Sequence, residues 1–177
     1  MRKKSRKNAG VAQPDFQALF FDHFGSRPCR HRYELRFLSS NLYHDLVFLA
    51  SLLHDARFPR TAVRHRGKKV SILLERDTWE VGPNLANLHY IASRLTIDGV
   101  DSLEWRFETP VLPSEDDELW VLDLSLNRLG PEGDHLRFTL VGDGWELDTL
   151  ISEESAAIVL RDIGTPQSNE TARKSGA

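Results

Sequence analysis

The chain has 177 residues, 40% of them hydrophobic and 28% charged, with Cys29 as its one cysteine. That length suits one domain able to bury a core without cross-links, and a single cysteine excludes an intrachain disulfide framework. The net charge is −3, and because Arg2, Lys3, Lys4, Arg6 and Lys7 make a +5 arm, the body carries −8; an acidic body is a poor duplex-binding platform, which leaves nucleic acid only a weak contact with the arm.

Residues 1–14 are basic and without periodicity, so they read as a disordered arm. The apolar stretch that would complete a signal peptide is broken by Pro14, Asp15 and Gln17. No apolar run reaches the about 20 residues of a membrane span, so no membrane association is expected and the cytoplasm is the expected location. "FQALFFDHF", from Phe16 to Phe24, predicts a short helix stopped by Gly25 and Pro28. Tyr33, Leu35 and Phe37 then alternate with Glu34 and Arg36, the period of a half-buried strand.

The segment "NLYHDLVFLASLLHD", Asn41 to Asp55, predicts the main helix. Leu42, Leu46, Leu49 and Leu53 keep helical spacing, and Val47, Phe48 and Leu52 widen the apolar face. Ser40 or Asn41 is the expected cap, and Pro59 the latest possible end.

Strands follow. "TAVRHRGKKVSILLERD" predicts a hairpin turning at Arg66-Gly67-Lys68, with Val70, Ile72 and Leu74 facing inward. A connection carries Gly82 and Pro83. Leu95 and Ile97 alternate before a turn at Asp98-Gly99; Leu103, Trp105 and Phe107 alternate after it. "TPVLPSEDDE" is an acidic, proline-bounded loop. "LWVLDLSLNRL" sets Trp120, Leu122, Leu124 and Leu126 on one face, and Leu136, Phe138 and Leu140 repeat the pattern. "GDG" at 142–144 turns the chain into Trp145 and Leu147, and the β-branched centre of "SAAIVLRDI" favours a last strand. Residues 164–177 read as a disordered tail, leaving 15–163 as one globular domain. The fold class expected is α+β: a predominantly antiparallel β sheet, as a sandwich or open barrel, with one main α-helix.

The helix carries two His-Asp pairs, His44-Asp45 and His54-Asp55. Ten residues of helix advance about 15 Å and rotate by roughly 280°, so the pairs cannot share one metal ion. The remaining histidines show no zinc-helix spacing or Cys-His cluster. Phosphate-loop, dinucleotide and serine-elbow motifs are absent from the sequence. No catalytic residue, metal or cofactor is therefore expected, and the chain points away from an enzyme.

Two groups of residues remain as binding candidates. Glu115, Asp116, Asp117 and Glu118 form a compact negative loop suited to a basic protein partner. Trp105, Trp120 and Trp145 fall on the expected inward phase, where they fill a core or line a cavity for a small apolar ligand. "LLHDARF" followed by a hairpin, and later "LTIDGVDSLEW", together resemble a layout found among small bacterial β-rich domains, including immunity-protein-like families. The resemblance spans under a fifth of the chain. It implies that His54, Asp55 and Ala56 start the sheet structurally, and it implies no catalytic residue. The expected function is a non-enzymatic, immunity-like interaction domain; the alternative is a ligand-binding barrel or barrel enzyme.

Overall fold

The computed structural model describes residues 34–78, 89–108, 113–130, 134–163 and 167–168. The basic arm, the helix expected at 16–24, Cys29 and Trp79 lie outside them.

Twelve strands and one α-helix make up the described fold. The strands are β1 (Glu34–Leu38), β2 (Arg57–Pro59), β3 (Val63–Arg66), β4 (Lys69–Asp77), β5 (His89–Asp98), β6 (Val100–Phe107), β7 (Glu118–Trp120), β8 (Asp123–Leu129), β9 (His135–Gly142), β10 (Trp145–Ser152), β11 (Ala157–Asp162) and β12 (Gln167–Ser168). Helix α1 is Leu42–Leu53. All pairings are antiparallel. A large sheet runs β1-β11-β5-β4-β2-β7, with β3 beside β4 and β12 beside β5; a small sheet runs β6-β10-β9-β8. β12 lies beyond residue 163, the expected end of the globular body.

The period-2 signal is carried through to burial. Along β4, Val70, Ile72, Leu74 and Arg76 are buried while the residues between them face outward. Burying each of the three aliphatic side chains contributes about 1.5–3 kcal/mol. One continuous core joins both sheets and α1, from Phe37 and Leu49 through Leu95 and Ile97 to Phe138 and Leu160. The helix contacts β8 of the small sheet and β1 and β4 of the large one. Its inward face is Leu42, Asp45, Leu49, Leu52 and Leu53. Val47, expected on that face, is 72% exposed, because it lies on the opposite side of the turn. Asn41 occupies the N-cap, but its side chain makes no capping bond; its backbone carbonyl accepts from the His44 and Asp45 N–H groups.

Asp98-Gly99 is a corner rather than a hairpin. β5 belongs to the large sheet and β6 to the small one, so the chain crosses between them at Gly99, whose φ is +82°. β10 and β11 make the reverse crossing at Glu153–Ser155. The two corners touch: the Ser152 N–H donates to the Gly99 carbonyl at 2.9 Å. A register shift between Leu150 and Ile151 supplies the local bend.

A further crossing changes the expected phase of "LWVLDLSLNRL". β7 pairs with β2 in the large sheet, and β8 pairs with β9 in the small one. The link between them inverts the alternation: Leu119 and Val121 are buried, Trp120 and Leu122 are exposed, and Leu124 and Leu126 are buried again. Trp120 therefore faces outward, contrary to its expected inward position.

Candidate functional site

The tryptophans do not share one interior space. Trp145 is buried and meets Phe58 edge-on at 5.7 Å, while Trp105 stacks on Phe107 at 5.8 Å and reaches Trp145 at the same distance. These rings pack against each other, and Arg60 caps Trp105 and Phe107 at 5.6 and 5.2 Å. Trp120 lies on the opposite face of the large sheet, where the Arg57 guanidinium sits 5.4 Å from its ring and 4.6 Å from that of Tyr90. Burial of Arg57 opposes its charge, but its hydrogen bonds to the Glu75 carboxylate and the charges of Glu118 and Glu75 outweigh this and raise its pKa.

The acidic loop is partly turned onto its own chain. An Asp117 carboxylate oxygen accepts from the Ser114 N–H at 2.7 Å, closing the turn. Glu118 lies 3.9 Å from Arg57, and the Glu115 carbonyl accepts from the Thr61 N–H. All four carboxylates are exposed, and Asp116 lies 3.5 Å from the Thr61 hydroxyl.

His54 and Asp55 pair with each other at 3.0 Å, both more than half exposed, where α1 ends. Asp55 takes φ +63°, a left-handed conformation that aspartate tolerates after a helix. Its N–H donates to the Val121 carbonyl, and the Val121 N–H returns a bond to Ala56, so this pair ties the helix end to the β7–β8 link. His44 is exposed and Asp45 buried. Among the described residues, no three His, Cys, Asp or Glu side chains converge as a metal site.

What the strand order does bring together is positive charge. The register aligns Arg64, Ser71, Thr96, Val159 and Arg36 as one row across β3, β4, β5, β11 and β1. Arg94 and Arg161 stand opposite each other in the next row; Arg66, Lys69 and Asp98 form the row on the other side. All project from the outer face, because Val70, Ile72, Leu95, Ile97, Ile158 and Leu160 occupy the inward phase of the same strands. Arg36, Lys69, Arg94 and Arg161 line an open depression of about 230 Å³ together with Thr96, Asp98 and Val159. Lys69 is paired with Asp98 at 3.0 Å, whereas Arg64, Arg66 and Arg94 make no ion pair among the described residues.

Like charges directly opposite across strands destabilise a sheet; in this row the register also sets Glu34 of β1 opposite Arg161, on the side away from Arg94. The outer face of the small sheet has the reverse balance: Glu104, Asp123, Glu146 and Asp148 outnumber Arg106 and Arg137. There Arg106 binds Glu146 and Asp148, and Thr139 donates to Asp148 at 2.6 Å. The acidic body inferred from net charge is thus two faces of opposite sign. Of these arginines, the sequence alone sets Arg36 on the polar phase of its strand and Arg66 in a turn; their meeting depends on β1, β11, β5 and β4 being neighbours.

No protein-family model matches the chain, and neither a curated protein nor a solved structure does. Among the described residues, no helix is long and apolar enough to cross a membrane.

Proposed function

We propose that this protein is a non-enzymatic interaction domain that uses the outer face of the large sheet to hold an anionic partner. The supporting observation is the clustering of Arg36, Arg64, Arg66, Lys69, Arg94 and Arg161 on one face, around one depression. Strand pairing fixes the spacing of these positions, so the backbone needs no ordering on binding, and the side chains alone carry that cost. Their field raises the encounter rate with a negative partner at low salt. In this reading the two sheets form a sandwich with open corners, supported by the crossings at Gly99 and at Glu153–Ser155, and the protein acts in the cytoplasm.

The immunity-like reading is the competitor: Glu115, Asp116, Asp117 and Glu118 would meet a basic protein. It rests on the outward carboxylates of Glu115 and Asp116. One experiment separates the two. The full chain is applied to heparin, a polyanion, with the arm residues Arg2, Lys3, Lys4, Arg6 and Lys7 changed to glutamine so that only the folded part is read. Retention is expected, with elution at distinctly lower salt for Arg64→Glu/Arg94→Glu and no loss for Glu115→Lys/Asp116→Lys. Both pairs are exposed, so a thermal midpoint within a few degrees of the parent is expected for each. Elution of the double arginine variant at the parent's salt concentration overturns the proposal.

A further inference from the structure

We infer that the anion held by this face is a single-stranded nucleic acid, with phosphates on the arginine rows and a base stacked at the Trp120 edge. The inference rests on the anion-binding reading and adds the ligand's chemistry.

The outer face has two chemically distinct regions. Toward β3, β5, β11 and β1 it carries the cation rows. Toward β2 and β7 it carries the Tyr90–Arg57–Trp120 stack, and Leu73, 46% exposed, lies between the two, directly opposite Arg94. The register Trp120–Arg57–Glu75 continues through β4 to Ala92, two residues from Arg94 on the same face of β5. At about 4.8 Å per strand, three strand spacings place the Trp120 position about 14 Å from Ala92. A few nucleotides of extended strand cover that separation.

Charge sorts the two halves of a nucleotide between these regions. Glu75 holds Arg57 with a hydrogen bond of 2.9 Å, and Glu118 lies beside it. These carboxylates neutralise Arg57 and repel phosphate at the aromatic edge. What remains attractive there is the uncharged face of a base against Trp120, which is 43% exposed. The backbone of Trp120 is held by its pairing with Arg57, whose guanidinium also lies 5.4 Å from the indole ring. A cationic surface that tracks the backbone, combined with aromatic planes for unstacked bases, is the general means of holding single strands. Duplex bases are already stacked on one another and offer no free face to Trp120. An acidic peptide would use the cations and leave the aromatic edge idle.

The test uses the full chain with the arm changed to glutamine. Anisotropy is measured with labelled oligothymidylate about 12 nucleotides long, with the same-length dT·dA duplex, and with polyglutamate as competitor. Single-strand binding tighter than duplex binding is expected. Arg64→Glu/Arg94→Glu should abolish most of it and, if both side chains contact phosphate, flatten the slope of log affinity against log salt by about 1.4. Trp120→Ala should weaken single-strand affinity at least about fivefold while leaving heparin elution and the salt slope unchanged, and Trp120→Tyr should restore most of the loss. Equal binding of duplex, displacement by polyglutamate as effective as by unlabelled oligonucleotide, or an unchanged Trp120→Ala affinity overturns the inference. Retention on heparin without oligonucleotide binding sinks this inference alone, whereas failure to bind either polyanion sinks the anion-binding reading beneath it.

Discussion

Replacing Asp162 by alanine is expected to lower the unfolding free energy by about 3–5 kcal/mol. Asp162 on β11 and Arg76 on β4 are 1% and 0% exposed. The carboxylate accepts from Arg76 Nε and Nη2 at 3.1–3.2 Å, and from the Ser93 hydroxyl at 2.7 Å. Both partners point into the large sheet's inner face, β5 lying between their strands. Removing the carboxylate takes away this counter-charge from a fully buried guanidinium and this acceptor from the Ser93 hydroxyl. A buried ion pair adds little net stability compared with well-packed apolar groups, but half of one is costly. The alanine variant should therefore melt on the order of 10 °C below the parent. Arg76→Met/Asp162→Leu should recover most of that loss, since both charges leave together. Thermal and urea unfolding read both variants. A loss under about 1 kcal/mol for Asp162→Ala would show that Arg76 does not depend on this carboxylate.

Gly99→Ala is expected to be nearly as damaging, for a backbone reason. At φ +82° a Cβ costs about 1–2 kcal/mol. That Cβ would also stand 2.6 Å from Ser155 Oγ and 3.0 Å from the Ser155 carbonyl oxygen. The contact is between two of the corners that join the sheets, at Gly99 and at Glu153–Ser155, so relief requires moving one away from the other. Overpacking of this kind costs a further ~1–3 kcal/mol. Gly67→Ala is the internal control: its φ is +57° but nothing lies within 4 Å of the added carbon. Urea unfolding should show Gly99→Ala losing clearly more than Gly67→Ala. Adding Ser155→Ala to the first should return part of the difference by deleting the nearer atom. Equal losses at the two glycines would mean that the corners are not in contact.

The opposite charges of the two outer faces bear on how net charge is read. A body of −8 argues against a nucleic-acid surface only if charge is spread evenly. Here the large sheet gathers arginines from residues 36 to 161, and the small sheet gathers carboxylates from residues 104 to 148. With a screening length of about 8 Å at physiological salt, a ligand on one face responds to that face rather than to the total.

Local order was legible in the residues themselves. Alternation in Val70, Ile72 and Leu74, or in Leu136, Phe138 and Leu140, reports which side chains enter the core, because successive residues of a strand point to opposite faces. The hairpins at Gly67 and Gly144 were equally visible, since both glycines take the positive φ that short turns demand. Helix α1 followed from leucine spacing. The partner of each strand was not legible. Alternation says that Arg36, Arg94 and Arg161 point away from the core, but not that β1, β11 and β5 lie side by side. Nor did it mark where a strand leaves one sheet for the other, and so Trp120 took the wrong phase while Leu124 and Leu126 took the right one. Pairing and crossing are chosen by contacts between residues far apart in the chain. Those contacts depend on which faces must be buried together, and no window of a few residues contains that information.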